Sequence, residues 1–174
     1  MKIVVLFETG EGQTRKIAEF IASQTRQAGH DVCMVDTSEK LVKFSLGNAD
    51  KIILAAPVHE RRHPKNFEVA ISAATQDLAK CPTLMISVSL KAAFPKGLEE
   101  AQDYLTEMEM RTGFEPTREA LIAGAVRTDS YDYFQRQIVQ HVALKGHETE
   151  LREGAKEFTD WDTLADTVAS FLAA

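Results

Sequence analysis

Two short stretches concentrate the residue types that do chemistry. The first is Glu8-Thr9-Gly10-Glu11-Gly12-Gln13-Thr14. Its two glycines let the backbone approach a ligand with no Cβ in the way, and its two threonines add hydroxyl donors. An apolar run, Ile3 to Phe7, precedes it, and an amphipathic segment, Lys16 to Gln27, follows. A turn between a strand and a helix start is an anion site. The first N–H groups of a helix have no partner within it and carry the positive end of its dipole. A plain connecting turn is the bland alternative, but it would need neither both glycines nor both threonines. The G-x-x-x-x-G-K-[ST] pattern does not fit, since no Lys-Ser or Lys-Thr follows these glycines. The dinucleotide pattern lacks its third glycine, where Arg15 stands.

The second stretch, His59-Glu60-Arg61-Arg62-His63, matches the zinc-hydrolase pattern H-E-x-x-H letter for letter. That pattern works on a helix, where the two histidines share a face. Here it directly follows an apolar run, and His63 precedes Pro64, which pushes it out of the helical region. These residues read better as a loop touching a ligand than as a metal site. Ser87 and Ser89 have no G-x-S-x-G elbow around them, and His141 and His147 read as surface or packing residues. Cys33 and Cys81 stand far apart and read as buried or incidental thiols. No catalytic acid or base, and no metal ligand, can be named from these residues.

The elements that must position both stretches follow from the apolar spacing. Ile17, Ala18, Ile21, Ala22 and Thr25 share a helical face that ends at Gly29. Asp31 to Asp36 reads as a second strand, and Thr37 and Ser38 as caps of a short helix to Leu46. Lys51 to Ala56 is a third strand, too apolar to be exposed on either face. A helix from about Lys65 to Leu78 places Phe67, Ala70, Ile71 and Ala74 on one side. Thr83 to Val88 is the fourth strand. A helix beginning near Pro95 and ending at Gly113 carries Leu98, Ala101, Leu105 and Met108, and Glu119 to Val126 is the fifth strand. Two helical segments remain, Tyr131 to Lys145 and Thr159 to Leu172, with a surface loop from Gly146 to Phe158 between them. The alternation predicts an α/β domain with a parallel sheet covered on both faces. Loops 8–14, 57–63 and 89–95 then leave the carboxyl ends of the strands close together, with 127–131 bordering the same crevice. A ligand with a phosphate at one end and a flat ring at the other would suit such a crevice.

Composition narrows the class. The chain has 174 residues, enough for one domain, with 44% apolar and 26% charged residues. Its net charge of −6 disfavours a general nucleic-acid role. No apolar run is as long as a membrane helix, and the chain opens directly into a strand. The expectation is a cytoplasmic protein of a single domain spanning 1–174, with an extension at about 128–158 before the last helix.

Several blocks in order now carry a family resemblance: Phe7 to Thr14 with Arg15-Lys16-Ile17-Ala18, Ser87 to Ala92 with Pro95, Ile122 to Arg127, and Phe158 to Trp161. The chain resembles the flavodoxins, and more closely the flavodoxin-like protoporphyrinogen IX dehydrogenases that pass electrons to menaquinone. The resemblance covers nearly the whole chain. It implies a three-layer sandwich with a five-stranded parallel sheet in the order 2-1-3-4-5. It also implies one noncovalent FMN, whose phosphate would sit on Thr9, Gly10, Glu11, Gly12, Gln13 and Thr14. The isoalloxazine ring would lie between Pro57, Val58, His59 and Glu60 on one side and Ser89, Leu90, Lys91 and Phe94 on the other. The implied reaction removes six electrons and six protons from protoporphyrinogen IX, with hydride passing to the flavin and on to a quinone. The chemistry is the flavin's, and the protein orients it.

Three departures from the family pattern stand out. His59-Glu60-Arg61 occupies the positions where the family carries Arg-Tyr-Gly, so the expected aromatic is missing, and Arg61 has less backbone freedom than Gly. Glu60 beside a flavin would disfavour an anionic reduced form. The segment Tyr131 to Gly146 holds only Arg136 and Lys145 as strong bases, where the porphyrin enzymes are strongly basic. It would pack on the domain, or give a weak peripheral contact with the cytoplasmic face of the inner membrane through about 131–145. Residues 148–162 are acid-rich, a solvated face by default and a docking surface for a protein redox partner as the alternative. The leading reading is an FMN oxidoreductase of the porphyrinogen type. A soluble flavodoxin-like electron carrier, and a relative that has lost its flavin, are the alternatives.

Overall fold

The computed structural model describes residues 1–39, 46, 48–127 and 155–174. Strand β1 (Lys2–Phe7) leads into helix α1 (Gln13–Gln27), then β2 (Asp31–Asp36) and β3 (Lys51–Pro57). Helix α2 (Lys65–Leu78) precedes β4 (Thr83–Ser89). Two 3-10 turns, Lys91–Ala93 and Pro95–Gly97, lead into α3 (Leu98–Thr112) and β5 (Arg118–Ala123). Short strands β6 (Ala125–Arg127) and β7 (Ala155–Glu157) precede α4 (Trp161–Ala173). The sheet is parallel throughout, in the order β2-β1-β3-β4-β5.

Each run of alternating or continuous apolar residues forms the expected element because both sheet faces are covered. Every residue of β3 and β4 is buried. One core packs α1 and α4 on the sheet through Ile17, Ile21, Leu164, Val168 and Phe171 against Ile3, Val5 and Ile53. The other packs α2 and α3 through Phe67, Ile71, Leu105 and Met108 against Leu6, Ile52 and Leu54. The face predicted for α1 is buried at all five positions, Thr25 included, whose hydroxyl donates to Ile21 O at 2.8 Å. Asp160 caps α4 by accepting from Thr163 N–H at 3.0 Å, as its sequence suggests.

Several local expectations are corrected. Helix α1 begins at Gln13 rather than Lys16, so the anion turn and the helix start overlap. Leu98 is exposed, and Tyr104 takes its place in the buried stripe of α3. The expected fifth strand divides at Gly124, where the chain leaves the parallel sheet and pairs antiparallel with β7, part of the segment expected to be loop. Cys33 is exposed on the edge strand, not buried, and Cys81 is half-buried. The helix expected after Thr37 and the one at 131–145 fall largely or wholly outside the described residues. No helix among the described residues is long and apolar enough to cross a membrane.

Candidate functional site

The carboxyl ends of β1, β3 and β4 open into one cleft lined by loops 9–14, 57–61 and 88–91, with Tyr104, Gly124 and Ala125. At the first loop Gly12 is the N-cap of α1 with φ 93°, a left-handed conformation natural to glycine, and no side chain caps the helix. The first-turn N–H groups therefore face the cleft with the helix dipole behind them. Thr9 Oγ1 accepts from Gly12 N–H at 3.0 Å, which folds the turn and leaves the Thr9 O–H free to donate outward. The loop is braced from below: Thr37 Oγ1 donates to buried Glu8 at 2.6 Å.

The two cations flanking this turn are already matched. Arg15 pairs with Asp36 at 2.5 Å and Lys16 with Glu157 at 2.7 Å. The Lys16 hydrogen bond holds the Glu157 carboxyl below its usual range, with Trp161 and Gln13 adding to the effect. Gln13 points its amide away, donating to Glu157 at 3.0 Å and Thr159 Oγ1 at 2.9 Å, and Thr159 donates to Ala123 O at 2.7 Å. What Gln13 offers a ligand is thus its backbone. What the turn offers an anion is N–H groups, hydroxyls and a helix dipole.

The second loop is a tight reversal. His59 and Arg62 exchange backbone hydrogen bonds of 2.9 Å in both directions, and Glu60 and Arg61 take φ values of 47° and 66°. Left-handed backbone at two non-glycine residues costs about 1–2 kcal/mol each. The H-E-x-x-H residues thus form a turn, and their imidazoles part company. His59 lines the cleft over the first loop, its Nε2 3.4 Å from where a Cβ on Gly10 would lie. His63 is buried below, 3.0 Å from Ser87 Oγ through Nε2, and burial pushes its pKa down to about 4. Arg62 then reaches buried Glu68 at 2.7 Å, which Arg111 also holds at 2.8 Å. Burial alone would raise the Glu68 carboxyl, but these arginine hydrogen bonds keep it below its ordinary value.

The third loop places Ser89, Leu90 and Lys91 on the opposite wall. Gly97 is required beneath it, because a Cβ there would lie 2.3 Å from Lys91 O. Glu100 on α3 accepts from Lys91 at 2.7 Å, from Arg61 at 2.9 Å and from the Tyr104 hydroxyl. Burial, then the bond to Glu100, raises the Tyr104 phenol, and the Arg61 guanidinium stands 5.3 Å over its ring.

The cleft wall brings together Thr9, Gly10, Glu11, Gln13, Thr14, Pro57, Val58, His59, Glu60, Ser89, Leu90 and Lys91. Gly12 stands behind the wall as the helix cap. Phe94 does not line the cleft; it packs edge-on against Phe158 at 5.7 Å. Tyr104 and Glu100 went unforeseen. Tyr104 supplies, from α3, an aromatic wall that the second loop lacks. Its one sequence signal is a polar-tipped aromatic three residues after Ala101 and four before Met108 on a buried stripe. Among the described residues no group of His, Cys, Asp and Glu is arranged to hold a metal ion.

A parallel sheet in this order, with an uncapped helix start beneath a cleft at its carboxyl edge, defines a class, and comparison with known proteins agrees. The flavodoxin domain profile matches residues 4–152, and the chain belongs to that family. Among characterised relatives, it is similar to protoporphyrinogen IX dehydrogenase [quinone] of Escherichia coli K12, 27% identical over 168 residues, covering 95% of this chain and 92% of that protein. The protein of the same name from Leishmania major is 24% identical over 176 residues, covering 99% and 75%. In three dimensions the chain resembles oxidised flavodoxin 1 of Bacillus cereus, with a TM-score of 0.60 at 18% identity over 99% and 98% of the two chains. It also resembles the FMN-bound flavodoxin of Fusobacterium nucleatum, with a TM-score of 0.53 at 14% identity over 99% and 95%.

Proposed function

We propose that the chain is an FMN-dependent oxidoreductase of the protoporphyrinogen IX dehydrogenase type, one domain over residues 1–174 with an extension at about 128–158. The observation that carries the reading is the join of two chemistries in one cleft. An uncapped helix start with glycine at its cap opens at one end, and an apolar slot formed by Pro57, Val58, Leu90 and Tyr104 opens at the other. A phosphate fits the first and a flat ring the second. The similarity to the Escherichia coli dehydrogenase over 95% of the chain supports the choice of substrate, a porphyrinogen with a quinone as acceptor.

In this reading the N–H groups of Gln13 and Thr14 and the Thr9 hydroxyl hold the phosphate. Because Asp36 and Glu157 occupy Arg15 and Lys16, the dianion meets neutral donors and the helix dipole. His59, Glu60 and Tyr104 on one side and Ser89 to Lys91 on the other exclude water from the ring. FMN, when bound, supplies the electron transfer, and the protein supplies its orientation and field. The test is direct. Purified protein mixed with excess FMN should take up one equivalent, and should then oxidise protoporphyrinogen IX with a menaquinone analogue faster than air does. Binding without that activity would leave the reading as an electron carrier to a protein partner. A protein that takes up no flavin would refute both.

A further inference from the structure

Glu100 stands outside the cleft wall, yet one carboxylate there joins three parts of the ring end. Its Oε1 accepts from Arg61 Nη1 at 2.9 Å and from the Tyr104 hydroxyl, and its Oε2 accepts from Lys91 Nζ at 2.7 Å. Arg61 belongs to the loop after β3, Lys91 to the loop after β4, and Tyr104 to α3. The backbones of β3 and β4 stay joined as far as Val58 N–H to Val88 O at 2.8 Å, and Arg61 and Lys91 both lie beyond that bond. The Arg61 backbone is itself in a left-handed conformation, which persists only where its surroundings enforce it.

We propose that Glu100 is a positioning residue that fixes the separation of the two ring-end walls and so governs affinity for the ring alone. The proposal rests on the FMN reading for its ligand but not for its mechanics. Phosphate binding lies at the other end of the cleft, where Glu100 makes no contact. Riboflavin, which has the ring without the phosphate, separates the two ends.

The experiment is titration of wild type, Glu100→Ala and Glu100→Gln with FMN and with riboflavin, alongside backbone hydrogen exchange of each flavin-free protein. Glu100→Ala should weaken both flavins by the same factor, about tenfold, since it removes three charge-assisted bonds at once. Glu100→Gln, which keeps an acceptor oxygen for Arg61 or Tyr104 but turns an amide toward Lys91, should weaken them less. The visible band of the bound ring should shift in both variants, a change that a general loss of fold stability would not produce. In the flavin-free proteins the amides of 58–62 and 89–94 should exchange faster in Glu100→Ala, while those of 9–14 keep their rates. The proposal is overturned if both flavins bind within about twofold of wild type, or if FMN weakens and riboflavin does not. Unchanged exchange in both loops overturns it as well. A wild type that takes up neither flavin removes the cofactor reading, and the exchange measurement still decides the role of Glu100.

Discussion

Replacing His63 with Gln should flatten the loss of stability that acid inflicts on this protein. His63 is 1% exposed, its Nε2 meets Ser87, and its Nδ1 has no partner among the described residues. Burial is the main reason its pKa falls from 6.5 to about 4; Glu68 pulls it up and Arg111 pushes it down. In the unfolded chain the ring takes a proton near 6.5, and the folded state refuses that proton until about 4. Stability therefore falls as pH falls through that window. Over the two units from 6.5 to 4.5 the loss is roughly 2–3 kcal/mol, at about 1.4 kcal/mol per unit. Glu68 lies outside that span, because its depressed pKa contributes stability that is lost only below its ordinary 4.5. Glu109 opposes His63 within it. Burial, then Glu119, raises its carboxyl to about 7, so the folded state gains a proton that the unfolded one does not, and stability rises as pH falls toward 4.5. The comparison with Glu109 in common removes that term. Urea unfolding of wild type and His63→Gln across the window should show wild type losing about 2–3 kcal/mol relative to the variant. Gln can still reach Ser87 but cannot titrate. Parallel stability curves would mean that the histidine takes up its proton in the folded state and that its burial has been misjudged.

Gly12→Val should weaken FMN binding by about a hundredfold with the sheet intact, because a β-branched residue is forced to φ 93° at the phosphate end. A flavin titration beside a thermal melt checks it, and wild-type affinity would put the phosphate elsewhere. Arg61→Gly should leave unfolding stability unchanged or raise it by up to about 1 kcal/mol, since relief of left-handed strain outweighs an exposed ion pair; a denaturation midpoint well below wild type would contradict this. Phe67→Ala, at a fully buried position of the α2 core, should cost about 3–5 kcal/mol by urea unfolding. Thr159→Val removes the bonds to Gln13 and Ala123 O and should raise the FMN dissociation constant several-fold; equal affinity would show that α1 needs no brace from that side.

Where the signal was local, the sequence was readable. Ile17, Ala18, Ile21, Ala22 and Thr25 repeat with the helical period, and Lys51 to Ala56 is apolar enough that only a strand covered on both faces could hold it. The loop 9–14 and the start of the second stretch, His59 to Arg61, reach the cleft because β→α loops of a parallel sheet all emerge at one edge, while His63 turns back into the core. What escaped notice depends on distant partners. Ala155-Lys156-Glu157 has no alternation and becomes a strand only because Ala125 to Arg127 lies opposite. Glu100, Tyr104 and Glu157 look like ordinary polar residues until the fold brings Arg61, 39 positions before Glu100, and Lys16, 141 positions before Glu157, to their side chains. The contact of Phe94 with Phe158 is of the same kind, a pairing of residues far apart in the chain.

The β6–β7 ribbon has a consequence for engineering the chain. Arg127 and Ala155 are paired, so the two ends of the span between them stand side by side. A two-residue Asn-Gly reversal is the right length to bridge such a pair. The placing of these anchors does not depend on how many residues separate them, so a change of length there need not move Glu157 away from Lys16.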